Sequence, residues 1–135
     1  MEKNVIPFVD AEHEIFYYEN IRRCWIEDCY HKALVYCLGI SEDTRRNVDR
    51  IFDFQMNVIK PECLKEGWIT SGSQMVIYLA FNLYTDTMPT VRERSRKQDQ
   101  IRECRRYSVS DIFACNYARY FWAAVQIRYP EYCMG

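Results

Sequence analysis

The sequence predicts an all-α fold, a compact single domain over residues 1–135 with five to seven helices around two nearly all-apolar ones. Three observations lead there. Only four Gly and four Pro punctuate 135 residues, too few for the turns of an all-β chain. Apolar residues make up 49% of the chain and recur at three- and four-residue spacing. Capping residues stand where such runs begin, because a side-chain oxygen there satisfies amides the first turn leaves free.

Asp10 reads as the cap of a first helix, AEHEIFYYENIRRCW. Ile15, Tyr18, Ile21 and Trp25 would face inward, and Glu12-His13-Glu14 would lie on a solvated first turn. A second helix fits DCYHKALVYCLG, with Tyr30, Ala33, Leu34, Cys37 and Leu38 on one face. Gly39 would stop it in left-handed conformation, where glycine carries no β-carbon penalty. Asp28 and His31, three apart, predict a local hydrogen bond. Ser41, with Glu42 and Asp43 behind it, starts a third helix with Val48, Ile51 and Phe52 inward. Arg45, Arg46, Asp49 and Arg50 would face out. Pro61 opens a short turn, PECLKE, which Gly67 stops with Trp68 packed behind it.

Residues 74–84 hold the longest apolar run, Met75 to Leu83, with a narrow polar stripe at Gln74, Tyr78 and Asn82. Such a helix must be covered on nearly all sides; a buried strand over Val76–Leu79 is the rival. Ser108-Val109-Ser110-Asp111 approximates a capping box ahead of a second apolar helix over 111–129, ended by Pro130. Phe113, Tyr117, Tyr120, Ala124 and Ile127 would form one apolar row, and Ala118, Trp122, Val125 and Tyr129 another. That second helix supplies either a packed centre or a homo-oligomer interface.

Charge excludes simple functions. A net charge of −1 offers neither whole-chain attraction to nucleic acid nor mimicry of it. The distribution is uneven, however. Residues 91–106 hold seven basic and three acidic residues, leaving eleven basic against sixteen acidic elsewhere. This Arg-rich segment, expected as a connecting helix or loop, is the strongest positive lead. Arg92, Arg94, Arg96, Lys97, Arg102, Arg105 and Arg106 suit either phosphates or an acidic protein surface. On a helix, Asp99 and Glu103 would share their side and partly quench the patch.

The stretch Thr70-Ser71-Gly72-Ser73 reads first as the cap of the helix behind it, with Ser73 in the capping place. The alternative is an anion site built from Ser71, Gly72 and Ser73 with Arg45 and Arg46. A nucleotide loop would need more glycines and a lysine than stand here. Cys24, Cys29 and His31 fit a zinc site poorly, and none of the seven cysteines carries a nucleophile signature, so neither metal, cofactor nor catalysis is expected. No signal peptide precedes them, which places reduced thiols in the cytoplasm and no membrane in the reading. Eleven Tyr and three Trp exceed the needs of a lone core, and Tyr129 and Tyr132 are candidates for contact.

The strings EHEIFYYENI, DCYHKALVYCLGISEDTRRNVDRIFDF, IKPECLKEGW, TSGS, LAFNLYTD and RYPEYC resemble an uncharacterised family of short proteins from anaerobic Firmicutes. The likeness runs over about residues 12 to 133 and covers the Arg-rich part, 91 to 103, least. Families of this kind often travel on conjugative or phage-like mobile elements, which implies an accessory or anti-defence role. It implies no catalytic residue. The expected function is a non-enzymatic interaction protein that occludes a surface of a host protein. The alternative is an accessory protein that binds nucleotides or nucleic acid through the Arg-rich segment.

Overall fold

The computed structural model describes residues 6–133. Nine α-helices and one two-stranded hairpin follow in order among these residues. They are α1 (Ala11–Ile21), α2 (Cys29–Leu38), α3 (Glu42–Arg46), α4 (Val48–Ile51), β1 (Phe52–Asp53) and β2 (Val58–Ile59). After a 3-10 turn at Pro61–Lys65 come α5 (Ser71–Thr85), α6 (Lys97–Arg105), α7 (Val109–Phe113), α8 (Ala118–Arg128) and α9 (Pro130–Cys133). The fold is predominantly α, as expected; the helices beyond seven are single turns such as α3 and α4, split at Asn47.

The centre is α2. Every residue from Ala33 to Ser41 is buried, and the helix packs most extensively against α5 and α8, with α1 on a further side. Residues 74–84 and 111–129 are therefore its flanks, not the centre expected of them. The sequence hid this role behind polar-capable residues whose partners are remote. The Tyr36 hydroxyl donates to the Pro7 carbonyl, and the Cys37 thiol donates to the Val76 carbonyl at 3.4 Å. Once paired, such groups are buried without penalty.

Helix α5 matches its reading, helical throughout and buried from Val76 to Phe81. The helix expected over 111–129 is broken. Ser108 caps α7 as expected, accepting from the Asp111 amide at 3.2 Å, but Ala114 then leaves helical space (φ −86°, ψ 57°). The Cys115 thiol takes the Ile112 carbonyl at 3.4 Å, competing locally with the backbone ladder. Trp122 of the second expected row is half exposed.

Helix α1 also faces differently. Asp10 caps it, accepting from the His13 amide at 2.8 Å, yet Ile15, Tyr18 and Trp25 are exposed. His13, Phe16, Asn20 and Ile21 are the buried set. Two of these are polar and internally satisfied, which apolar spacing cannot reveal. Asn20 donates to the Phe16 carbonyl and accepts from Arg23, each at 2.9 Å. The Trp25 indole donates to the Gln55 carbonyl at 3.2 Å, across to the tip of the hairpin, whose register pairs Phe52 with Ile59.

His13, far from lying on a solvated turn, is fully buried. Its Nδ1 accepts from the Val9 amide at 3.0 Å, so Nε2 carries the proton and donates to the Tyr36 carbonyl at 2.8 Å. Burial, opposed by that carbonyl and aided by Arg45, lowers its pKa from 6.5 to about 4, with Asp10 pulling weakly upward. As pH falls from 6.5 toward 4, the unfolded chain gains this proton and the folded chain does not. Stability therefore drops by up to about 1.4 kcal/mol per pH unit in that window, about 3 kcal/mol in all. Urea midpoints of wild type and His13→Gln between pH 7 and 4.5 check this. The variant should lack that slope, and parallel curves would refute it.

Gly39 is right-handed (φ −81°) rather than the left-handed stop expected. Among the described residues the positive-φ positions are Asn57 and Asp86. Asp86 ends α5 and receives Arg128 from the end of α8. Arg128 is buried, donates from Nε to the Leu83 carbonyl at 3.0 Å, and reaches both Asp86 carboxylate oxygens at 2.9 and 3.2 Å. Its guanidinium lies 3.6 Å from the Tyr30 ring centroid and 4.5 Å from that of Tyr129. This clamp ties α2, α5 and α8 together at one end.

Candidate functional site

The narrow polar stripe of α5 is not a wet edge. It is the seam that holds the Arg-rich segment. Gln74 accepts from Arg106 at 3.3 Å, Tyr78 donates to the Glu103 carboxylate at 2.5 Å, and Asn82 donates to the Thr87 carbonyl at 2.9 Å. Tyr107 packs edge-on to Tyr78, 4.8 Å between centroids, and its hydroxyl accepts from the Thr90 amide at 3.2 Å. Burial, and the hydrogen bond to Glu103 after it, push the Tyr78 phenol upward, so it stays a neutral donor.

Within the segment, Gln100 fixes the loop ahead of α6 by donating to the Glu93 and Ser95 carbonyls, each at 2.9 Å. Acids quench part of the patch, as expected. Asp99 pairs with Arg96 at 3.2 Å and Arg102 at 3.0 Å, and Glu103 pairs with Arg106 at 3.4 Å. Arg92, Arg94, Lys97 and Arg105 have no ion-pair partner among the described residues. No residue of α6 is buried, and Ile101 stands exposed among the cations.

Two adjoining hollows lie along the seam. The larger, of about 260 Å³, has Lys65, Arg92, Arg106 and Glu103 on its walls. The smaller, of about 100 Å³, places Ser71 beside Arg106 and Asp111. Arg92, Arg106 and Ser71 are thus brought together, whereas Arg94, Arg96, Lys97, Arg102 and Arg105 are exposed and line neither hollow. Lys65 escaped the sequence reading. The signal that points to this seam is the i,i+4 spacing of Gln74, Tyr78 and Asn82 on an otherwise apolar helix.

The TSGS stretch is a cap, with Thr70 rather than Ser73 in the capping place. Thr70 Oγ1 accepts from the Ser73 amide at 3.1 Å, and Ser73 Oγ accepts from the Thr70 amide at 2.7 Å. Gly72 lies under the Tyr117 ring, where a β-carbon would stand 3.4 Å from Cε2. Arg45 and Arg46 do not join it. Arg45 donates to the Gly39 carbonyl at 2.7 Å, and Arg46 pairs with Glu42 at 2.8 Å.

His31 makes the local bond expected, with its Nδ1 2.7 Å from the Asp28 carboxylate, and its Nε2 lies 2.7 Å from Asn57 Oδ1. Both nitrogens of each histidine are therefore engaged. All seven cysteines are free, and burial raises the thiols of Cys24 to about 11 and Cys63 to about 12. Among the described residues no cluster of three His, Cys, Asp or Glu could hold a metal ion, and no helix is long and apolar enough to cross a membrane.

No curated protein and no solved structure matches the chain. A family of unknown function, DUF6075, matches residues 3–135, a span that contains all of the strings carrying the resemblance. The chain belongs to that family.

Proposed function

We propose that the chain acts without catalysis, by laying α6 and the loop before it on an acidic surface of a partner protein and occluding that surface. The observation that carries this reading is the standing of α6 and the loop before it. Helix α6 has no buried residue and an exposed Ile101. Lys97 and Arg105 on it, with Arg92 and Arg94 ahead of it, have no ion-pair partner among the described residues. Arginine beside an apolar side chain is the composition of interface centres. The α5 seam holds the helix from behind, so little ordering is left to offset on binding. A mobile-element origin and a host defence component as the target extend the reading from the resemblance, in a reducing cytoplasm suited to seven free thiols.

The test compares partners captured from a host lysate by wild type and by Arg92→Glu/Arg94→Glu/Lys97→Glu/Arg105→Glu. The quadruple variant should keep its far-ultraviolet dichroism, since none of these residues is buried, and lose the partner by a hundredfold or more at about 1 kcal/mol per reversed contact. Identical partner sets at identical affinity would end the proposal. A nucleotide or nucleic-acid ligand is the second reading, favoured by the convergence of Lys65, Arg92 and Arg106 on one hollow. Glu103 and Asp111 line the same hollows and oppose an anion there. A duplex or nucleotide bound at low salt, with affinity falling steeply as salt rises, would favour this second reading.

A further inference from the structure

A larger hollow, about 660 Å³, shares no residue with the α6 seam and falls within the range of small-molecule sites. Its floor is aromatic. Phe8 lies 5.9 Å from Tyr17 and 5.8 Å from Tyr36 between ring centroids, and Tyr17 and Tyr18 meet edge-on at 5.1 Å. The wall is pinned before any ligand arrives. His13 Nδ1 accepts from the Val9 amide, the Phe8 ring stands edge-on to His13 at 5.1 Å, and the Tyr36 hydroxyl donates to the Pro7 carbonyl.

The rim is charged and exposed, formed by Glu14, Glu27 and Lys32, none of them ion-paired among the described residues. Two carboxylates outnumber one ammonium. Aromatic faces add negative potential of their own, to which a cation is drawn. Burial first, then Tyr18 and Glu27, raise the Tyr17 phenol to about 12, so the hollow resists acquiring negative charge.

We propose that this hollow between α1, α2 and residues 6–9 binds a small organic cation, an alkyl- or aryl-ammonium. Its apolar body lies on Phe8 and Tyr17, with the buried Tyr36 ring behind them, and its charge faces the Glu14 and Glu27 rim. Lys32 opposes it, which gives the assignment a sign that can be read in both directions.

The probe is benzyltrimethylammonium, titrated into the full chain and followed by nuclear magnetic resonance shifts of the tyrosine rings. Wild type should saturate. Glu14→Gln/Glu27→Gln should weaken binding about tenfold or more, while Lys32→Gln should tighten it several-fold, consistent with charge contributions of this kind. The neutral isostere neopentylbenzene and the anion phenylacetate should fail to compete. Absence of saturation in the millimolar range, equal binding of either competitor, or weakening by Lys32→Gln would overturn the assignment. All three rim residues are exposed, so the variants test recognition without threatening the fold.

Discussion

Gly39→Ala will destabilise the fold by about 3 kcal/mol, the upper end of overpacking costs in a closed core. A β-carbon there would stand 2.5 Å from His13 Cδ2 and 2.8 Å from Phe16 Cδ1. Neither ring has room to retreat. His13 is fully buried and held at both nitrogens, and Phe16 is part of the same cluster. Moving the imidazole would also weaken its bond to Tyr36, leaving a buried carbonyl short of a donor. Urea unfolding should show a lower midpoint at unchanged slope, with thermal unfolding about 10 °C lower. Adding Phe16→Leu should recover part of the loss, a coupling expected only of residues in contact. An unchanged midpoint for Gly39→Ala would mean that the glycine has another role.

Arg128→Ala should cost about 2–3 kcal/mol, because it removes a buried side chain whose stem and guanidinium pack the site, and leaves the buried Leu83 carbonyl without this donor. The Leu83 carbonyl loses its donor, Asp86 loses two bonds, and the rings of Tyr30 and Tyr129 lose a cation. Arg128→Lys restores charge but not the fork that serves Leu83 and Asp86 at once, so about 1–2 kcal/mol should remain lost. Asp86→Asn keeps a residue that tolerates the left-handed backbone and should be milder still. Chemical denaturation of the three variants gives the order directly. If Asp86→Asn proved worst, the left-handed turn rather than the clamp would govern this end of the molecule.

These two positions show where reading a sequence stops. Gly39 was legible as special but for the wrong reason, since its backbone is right-handed and the constraint comes from rings twenty-six and twenty-three residues earlier. Nothing in the local sequence singles out Arg128, because its carbonyl and carboxylate partners lie 45 and 42 residues away. The Arg-rich segment was visible as a charge excess, and its quenching by Asp99 and Glu103 followed from helical spacing. What it leans on was not visible. Gln74 and Tyr78 read only as part of a narrow polar stripe, whose partners Arg106 and Glu103 come from a segment 32 and 25 residues away. The aromatic hollow was equally hidden, because Phe8, Tyr17 and Tyr36 come together from three separate segments.

By itself the sequence determined the helical class, the caps at Asp10, Ser41 and Ser108, and the burial of α5, all set by spacing and chemistry within one or two turns. The tertiary structure alone decided that α2 is the centre, that α1 buries His13 and Asn20 in place of Ile15 and Tyr18, and which cations stay unpaired. The dividing line is physical. A cap or an apolar stripe is satisfied by its own neighbours, whereas a buried histidine, tyrosine or arginine is stable only when a remote donor or acceptor answers it.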